Sequence, residues 1–293
     1  MPPYNGVDVA APEIINGRYE VVGTIGAGGM GVLYRARDPW IGGRVVALKL
    51  LKEGLDDEEI FSRFKQEASA AGVLEHENIV RIFDVGEHNG QPFIAMEYVD
   101  GDTLASLIRD RVEVPLLKKL EWVEQLCDAL AYAHAHGIVH RDIKPLNLII
   151  ERRRQRLKVL DFGIAKVANS GITTAGMMIG TANYMSPEQM RGDIAIDHRS
   201  DIFSVGATVF ELLTGTRAFP GSLSDGLMGR IMVHPAPTVR SLVPGLPEEL
   251  DAIVARALEK DPNDRYGDLV QMRDEVRALR HRLKEVDEQT VVL

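Results

Sequence analysis

The sequence predicts an α+β protein with two lobes: a small lobe built on an antiparallel sheet with one helix, and a larger, mainly helical lobe. Short strand-like runs between glycine turns fill the first third of the chain. Helical periodicity dominates after Asp100-Gly101-Asp102, which interrupts the pattern. The length of 293 residues is sufficient for two hydrophobic cores. We therefore divide the chain into a flexible leader (1–17), a first lobe (18–99), a second lobe (100–278) and a C-terminal helix extension with a tail (279–293).

The composition excludes several classes of protein. A net charge of -9 argues against nucleic acid as the main partner, because nucleic-acid binding usually needs a basic surface. The single cysteine, Cys127, lies in an apolar helical pattern, so we interpret it as a core residue of a protein from a reducing compartment. The first residues lack a signal-peptide pattern, and the most apolar stretch, 202–213, is too short to span a bilayer. The sequence predicts a cytoplasmic chain without a membrane segment.

The first lobe alternates between strands and turns. Its first three strands are expected to form an antiparallel meander around two glycine turns. A helix is expected at 57–74, where apolar residues recur at helical spacing. The predicted strands are 19–22, 32–36, 44–50, 79–85 and 92–98.

The second lobe reads as helical, with one short strand. The pattern predicts a long helix at 116–136, a strand at 157–160 and helices over most of 201–283. The intervening segment 164–187 has no periodicity, and loops of that length are usually functional. An apolar stripe of the last helix continues beyond the expected domain end, which suggests contact with a partner or a second copy. That stripe consists of Leu279, Leu283 and Val286.

A glycine cluster, Gly26 to Gly31, lies between two predicted strands. Glycines let a backbone approach phosphate oxygens closely and direct N–H groups at them. A dinucleotide-binding fold is the alternative interpretation of this spacing, but it requires the last glycine to begin a helix. Here Val32-Leu33-Tyr34 continues as a strand. The pattern therefore favours a hairpin that lies over a phosphate-bearing ligand.

Lys49 is the only charged residue in its apolar strand. A buried lysine is unfavourable unless it is paired, and Glu67 on the following helix is the candidate partner. The alternative is a surface ion pair, which would contribute little to stability. Together with the glycine hairpin, the pattern favours a lysine that contacts two phosphates and is held by Glu67.

The turn from His140 to Asn147 contains an acid, a base and an amide within a few residues. Pro145 restricts its backbone, so several polar groups can be directed into one cleft. Asp161 follows an apolar strand, and a carboxylate there would suit Mg²⁺ with Asn147 as a second oxygen ligand. The histidines at 134, 136 and 140 do not predict zinc, because residues two apart on a helix point away from each other.

Taken together, these residues resemble the signature motifs of protein kinases, in order, from about Tyr19 to Ala278. The stretches 180–184 (GTANY), 186–189 (SPEQ) and 261–265 (DPNDR) are most similar to bacterial serine/threonine kinases of the eukaryotic-like type. The resemblance implies a bilobal protein kinase fold with ATP between the lobes. It also implies transfer of the ATP γ-phosphate to Ser or Thr hydroxyls of proteins, with autophosphorylation of the activation loop.

The resemblance assigns catalytic roles to Asp142, Lys144, Lys49 and Glu67. Asp142 accepts or orients the proton of the substrate hydroxyl, and Lys144 contacts the γ-phosphate. Lysine at position 144 implies a Ser/Thr rather than a tyrosine kinase. Mg²⁺, with Mn²⁺ as an alternative, is held by Asn147 and Asp161. Residues implied to support this site are His140, Arg141, Phe162, Thr181, Glu188, Asp201 and Arg265.

The resemblance also implies an ATP pocket. Lys49, paired with Glu67, contacts the α- and β-phosphates, and Met96 lies behind the adenine. Backbone groups of Glu97 and Val99 bind the adenine edge. The implied ATP-binding residues are Ile25, Gly26, Ala27, Gly28, Gly29, Met30, Gly31, Val32, Leu33, Ala47, Lys49, Met96, Glu97, Val99 and Ile149.

Regulation and partners follow from the same resemblance. In this family an arginine at the position of Arg141 accompanies control by activation-loop phosphorylation, since a phosphate offsets clustered positive charge. Thr173 and Thr174 are the predicted phosphosites, and Thr290 is a candidate site for a phosphothreonine-reading partner. The implied partners are protein substrates and a homodimer that autophosphorylates in trans. Similar bacterial kinases often form the cytoplasmic domain of a longer membrane receptor, which this chain could also do.

Two other functions stay open at this point. A non-catalytic ATP-binding scaffold would keep the same nucleotide pocket. A small-molecule kinase of similar fold would keep the catalytic turn but accept a metabolite. The complete platform from Gly180 to Glu188 favours protein substrates.

Overall fold

The chain divides into two compact units in the structure, which is a computed structural model. The first unit comprises the described parts of Met1–Gly72 and Arg81–Val99, and the second comprises Val73–Val80 and the described parts of Asp100–Leu293. Most of the helix predicted at 57–74 lies outside the described residues. The structure describes residues 14–28, 31–51, 68, 71–162, 182–193 and 196–291.

The first unit is built on a six-stranded antiparallel sheet. Its strands are β1 (Ile14–Ile15), β2 (Tyr19–Gly28), β3 (Gly31–Asp38), β4 (Arg44–Leu51), β5 (Ile82–His88) and β6 (Gln91–Glu97). Strands β2, β3 and β4 pair in sequence, which confirms the predicted meander. The next neighbour of β4 is β6, and β5 lies at the edge of the sheet.

One face of this sheet forms the hydrophobic core of the first unit. Tyr34, Leu48 and Ala95 are cross-strand neighbours, and all three are buried. The rings of Tyr19 and Phe93 pack edge to face in the same cluster, with centroids 5.7 Å apart. Because successive side chains of a strand point to opposite faces, the residue that follows Leu48 in β4 points away from this core. Lys49, the only charged residue of β4 after Arg44, therefore lies on the other face.

A buried ion cluster fixes the turn between β1 and β2 to the sheet. Asp38 is fully buried, and its two oxygens accept hydrogen bonds of 2.9 and 2.7 Å from the Arg18 guanidinium. Arg44 donates a third bond of 3.3 Å. These bonds, led by those from Arg18, hold the pKa of Asp38 below its ordinary value despite burial. Arg18 also contacts Asp84, which accepts a 2.7 Å bond from the Tyr19 hydroxyl.

The second unit is mainly helical. A small sheet contains β7 (Gly101–Thr103), β8 (Leu148–Glu151) and β9 (Arg156–Val159). The helices are α1 (Leu104–Arg109), α2 (Leu116–Ala135), α3 (Pro187–Arg191), α4 (Arg199–Thr214), α5 (Leu227–Met232), α6 (Val239–Leu242), α7 (Glu249–Ala257) and α8 (Leu269–Val291). Helix α4 is buried along nearly its whole length and on all sides, as expected for a helix at the centre of a core.

The segment Val73–Val80 belongs to the second unit, whereas the boundary drawn from the sequence assigns it to the first lobe. Its strand-like residues do not begin β5, which starts at Ile82. Instead Ile79 forms a parallel bridge with Val159, and the Asn78 side chain donates to the Leu157 carbonyl at 2.7 Å. Long-range pairing with β9 therefore overrides the local strand pattern.

The C-terminal helix α8 packs along α2. Arg273 forms an ion pair of 2.5 Å with Asp128, and Arg280 bonds the buried Glu124. Leu279 is only 3% exposed, so the hypothesis that this residue contacts a partner is wrong. None of the helices described is both long enough and apolar enough to cross a membrane.

Gly206 lets α4 and α7 approach closely. A Cβ atom at Gly206 would lie 2.8 Å from the Cβ of Ala257 and 3.2 Å from the Leu258 side chain. Alanine favours a helix over glycine by about 1 kcal/mol, but overpacking a core usually costs about 1–3 kcal/mol. We expect Gly206→Ala to lower the free energy of unfolding by up to about 2 kcal/mol in urea denaturation.

The matched control is Gly229→Ala in α5, because a Cβ there meets no atom within 4 Å. We expect that variant to be stabilised by about 0.5–1 kcal/mol. Equal shifts for the two variants would contradict the packing argument.

Candidate active site

The predicted catalytic turn connects α2 to β8. Helix α2 ends at Ala135, and Gly137 follows with a φ of 74°, which lets the chain reverse. Ile143 is buried and anchors the middle of the turn. Pro145–Asn147 form a short 3-10 helix before β8, and the Asn147 carbonyl accepts a 2.9 Å bond from the N–H of Leu160. The turn is therefore held to β9 at its far end.

A buried carboxylate supports the turn from α4. Asp201 is fully buried and accepts hydrogen bonds of 2.8 and 2.7 Å from the backbone N–H groups of His140 and Arg141. The His134 ring contacts the same carboxylate at 2.8 Å. Burial opposes ionisation, but His134 and the nearby His140 with its N–H outweigh it, and the pKa of Asp201 lies below its ordinary value. A charged carboxylate is therefore held under the turn.

His140 has a packing role. Its Nε2 lies 2.7 Å from the Leu160 carbonyl, so Nε2 donates, and its Nδ1 accepts a 3.3 Å bond from the N–H of Asp142. The ring packs on Phe162 with centroids 4.7 Å apart. Both ring nitrogens are thus used within the protein. Together with the bond from His136 to the Tyr132 carbonyl, this leaves no histidine trio for zinc in this region.

Three predicted residues meet on the turn. The Lys144 ammonium donates to both carboxylate oxygens of Asp142, at 3.0 and 2.9 Å. The Asn147 amide nitrogen donates to the Asp142 carbonyl at 2.8 Å and to a carboxylate oxygen at 2.9 Å. Because its nitrogen is used in this way, the Asn147 amide offers its oxygen to a cation. Asp161 follows β9 with a left-handed φ of 54°. An amide oxygen and a carboxylate are hard donors that suit Mg²⁺ or Mn²⁺.

The first unit carries the predicted nucleotide-binding residues on one face of its sheet. Lys49 pairs with Leu33 and lies on the face opposite the hydrophobic core. Ala47 is two residues away on the same face, with Met96 as its cross-strand neighbour. The Glu97 N–H donates to the Arg81 carbonyl at 2.8 Å, so this N–H is not available to a ligand.

The glycine hairpin is described except at its tip. Gly26 pairs with Leu33, and Gly28 pairs with Gly31. A Cβ at Gly31 would lie 2.1 Å from the Leu50 carbonyl oxygen, so no other residue fits this position. Several predicted site residues lie outside the described part of the chain: Gly29, Met30, Glu67, Thr173, Thr174 and Thr181.

A buried ion pair connects Glu188, which directly follows the predicted activation loop (164–187), to Arg265, which lies shortly before α8. Arg265 donates to both oxygens of Glu188, at 2.7 and 2.9 Å, and Ser200 on α4 donates at 2.5 Å. Burial alone would raise the pKa of Glu188, but the bonds from Arg265 and Ser200 lower it to about 2. The structure brings together the two predicted residues, which are far apart in the sequence.

Several supporting residues had no role in the sequence analysis. His134 was weighed only as a zinc ligand, although its place on α2 brings it to Asp201. The Tyr184 hydroxyl bonds Glu211, and Ser204 bonds the Tyr184 carbonyl at 2.8 Å. Polar residues inside apolar helical patterns were the available signal, because buried polar groups are almost always hydrogen-bonded.

The fold and the turn define a protein kinase domain. The chain belongs to this family, whose model, described as "Protein kinase domain", matches residues 19–277. Within the family it is similar to a probable serine/threonine-protein kinase PknB of Lactococcus lactis, at 38% identity over 90% of this chain and 42% of that protein.

Two further comparisons also identify protein kinases as similar to this chain. The serine/threonine-protein kinase PknB of Mycolicibacterium smegmatis is 39% identical over 90% of this chain and 43% of that protein. The crystal structure of the Mycobacterium tuberculosis PknI kinase domain matches with a TM-score of 0.72 and 31% identity, over 90% of this chain and 97% of that one. The chain thus spans about two fifths of the length of the curated relatives it matches.

The Glu188–Arg265 pair predicts a pH-dependent contribution to stability. Because the folded pKa of Glu188 lies below its unfolded value of about 4.5, the contribution is complete above pH 4.5 and is lost as pH falls towards 2. We expect Glu188→Gln to lower the free energy of unfolding by about 3 kcal/mol at pH 7, with a smaller difference at each step below pH 4.5. Urea denaturation at several pH values measures this.

The exposed Glu285 supplies the control, since Glu285→Gln removes one carboxylate without breaking a buried pair. We expect its effect to stay small at every pH. A Glu188→Gln difference that does not change with pH would contradict the assigned ion pair.

Proposed function

We propose that this chain is a serine/threonine protein kinase that transfers the γ-phosphate of ATP to Ser or Thr hydroxyls of proteins. The observation that carries the proposal is the meeting of Asp142, Lys144 and Asn147 on one rigid turn. Phosphoryl transfer requires little covalent help from a protein and much positioning and charge neutralisation. A carboxylate, an ammonium and an amide oxygen within hydrogen-bond distance of each other meet those requirements.

Each residue of the turn has a distinct task. Asp142 accepts the hydrogen bond of the substrate hydroxyl. This bond directs a lone pair of the hydroxyl oxygen at the phosphorus atom. Lys144, which in this structure pairs with Asp142, contacts the γ-phosphate and offsets charge on its oxygens. The Asn147 nitrogen keeps the Asp142 carboxylate in place through its 2.9 Å bond. Serine/threonine specificity is supported by Lys144 and by the names of the bacterial relatives.

Asn147 and Asp161 would hold the divalent cation that protein kinases use with ATP. When bound, this cation neutralises charge on the phosphate oxygens. The hard oxygen donors favour Mg²⁺, with Mn²⁺ as an alternative. The described residues contain no cluster of three His, Cys, Asp or Glu side chains that could hold a metal by itself.

The residues of the first unit would bind the nucleotide. Lys49 would contact the α- and β-phosphates, and Glu67 would hold it in place. The pairing of Gly26 with Leu33 and of Gly28 with Gly31 supports a glycine hairpin over the phosphates. The small side chain of Ala47 beside Met96 leaves room for a flat ring on the sheet face away from the core. The adenine edge would then be bound by the Glu97 carbonyl and by the backbone of Val99.

Regulation is proposed at the activation loop. Thr173 and Thr174 would accept phosphate from a second copy of the kinase, and Thr290 would serve a phosphothreonine-reading partner. A cytoplasmic location, alone or as part of a longer receptor, is supported by the use of ATP and by the single, buried Cys127, which allows no intrachain disulfide. Mass mapping of protein incubated with ATP and Mg²⁺ tests the phosphosites.

We expect Asp142→Asn to lower the rate of peptide phosphorylation by about 10²- to 10⁴-fold, the usual contribution of an acid–base group. The KM for ATP should change little, because Asp142 contacts the hydroxyl substrate. The assay is phosphate transfer from labelled ATP to a Ser/Thr peptide pool.

Asp287→Asn, the same chemical change at an exposed position of α8, is the control and should retain the parent rate. An Asp142→Asn variant as active as the parent would exclude the proposed catalytic role. Absence of transfer by both the parent and the variant would favour a non-catalytic ATP-binding scaffold.

A further inference from the structure

Arg141, directly before the proposed catalytic Asp142, has an unfavourable backbone conformation. Its φ of 64° is left-handed, and it is not a glycine. Such a conformation is strained for a residue other than glycine and persists only where surrounding contacts hold it. The conformation of Arg141 sets the direction in which the next residue leaves the turn. The contacts that maintain it therefore also position Asp142.

The N–H side of this residue is held by Asp201, and its carbonyl side is held by Gln189. Asp201 accepts the Arg141 N–H at 2.7 Å, as described above. The Nε2 of Gln189 donates to the Arg141 carbonyl at 2.8 Å. The backbone of Arg141 is thus bonded by side chains from two different helices, α4 and α3. Only the first of these, from α4, was implied by the resemblance to kinases.

The other end of the Gln189 amide caps helix α3. Its Oε1 accepts the N–H of Ser186 at 3.0 Å, and the Ser186 hydroxyl accepts the N–H of Gln189 at 3.3 Å. The two form a capping box. The amide orientation follows from these partners, because a carbonyl requires the NH₂ group and an N–H requires the oxygen. One side chain therefore joins the cap of α3 to the catalytic turn.

These contacts form a closed network that joins the catalytic turn, α3 and α4. The catalytic turn is fixed to α4 through Asp201, and α3 is fixed to α4 through the bond between Glu188 and Ser200. Gln189 connects the turn and α3 directly. A displacement of the 186–191 segment would therefore pull on the Arg141 carbonyl.

We propose that Gln189 is a positioning residue that couples the segment after the activation loop to the direction of Asp142. The inference rests on the proposed kinase function. Gln189 does not touch the reacting atoms; it acts through Arg141. When the 186–191 segment is in place, the bond to the Arg141 carbonyl keeps the left-handed turn, and Asp142 faces the hydroxyl substrate.

Helix capping alone is the simpler explanation for Gln189, and two substitutions separate the explanations. Gln189→Glu keeps an oxygen for the N–H of Ser186, so the capping box survives. It removes the donor to the Arg141 carbonyl and places a negative oxygen there. Gln189→Ala removes both bonds. Capping alone predicts that Gln189→Glu behaves like the parent and that only Gln189→Ala is impaired.

The experiment measures phosphate transfer in a single turnover at saturating ATP and peptide. All proteins are compared in the same phosphorylation state, which intact mass spectrometry verifies. We expect Gln189→Ala to lower the rate by about three- to tenfold, the size of one hydrogen bond. Gln189→Glu should lower it by about tenfold. The KM for ATP should stay within about twofold of the parent for both variants.

Gln271→Glu, the same change on α8, is the matched control and should retain the parent rate, since Gln271 bonds only near its own helix start. A Gln189→Glu rate equal to that of the parent overturns the proposal. Asp142→Asn in the same assay keeps the two hypotheses apart. If the parent transfers phosphate and Asp142→Asn does not, the kinase function stands whatever Gln189 does.

Discussion

The carboxylate of Asp201 is the contact on which the geometry of the catalytic turn depends. It is fully buried, and it receives two consecutive backbone N–H groups and the His134 ring. A buried carboxylate is tolerable only when its oxygens are saturated with donors. The donors available here are the N–H groups of His140 and Arg141, so the turn must adopt the one conformation that presents both. The charge and the turn conformation require each other.

Helix α4 connects this contact to the rest of the second unit. Ser200 and Ser204 lie on α4 near Asp201, and they bond Glu188 and the Tyr184 carbonyl respectively. Polar residues at these positions of an otherwise apolar, fully buried helix are stable because each finds a partner. The catalytic turn and the segment that follows the activation loop are consequently positioned by the same rigid element. Preorganisation of this kind is what phosphoryl transfer needs most from a protein.

The sequence predicted the elements whose information is local. The meander, the glycine hairpin and the turn from His140 to Asn147 each depend on residues close together in the chain. Local sequence patterns were therefore sufficient to locate them. Contacts between distant elements were not accessible in this way. Ile79 looked like the start of a strand but pairs with Val159, and Leu279 looked like an interaction residue but is buried. In both cases long-range packing decides the outcome, and no local pattern records it.

Backbone strain is present within the proposed active site. Asn89 and Gln155 also have a positive φ, but they lie in exposed connections between strands. Arg141 has a positive φ directly before Asp142, which is proposed to act on the substrate, and Asp161, the proposed metal ligand, has one itself. At Arg141 the N–H and carbonyl are both bonded by side chains from outside the turn. The energy that these bonds supply offsets the strain, so the direction of Asp142 is a property of α3 and α4 as much as of the turn itself.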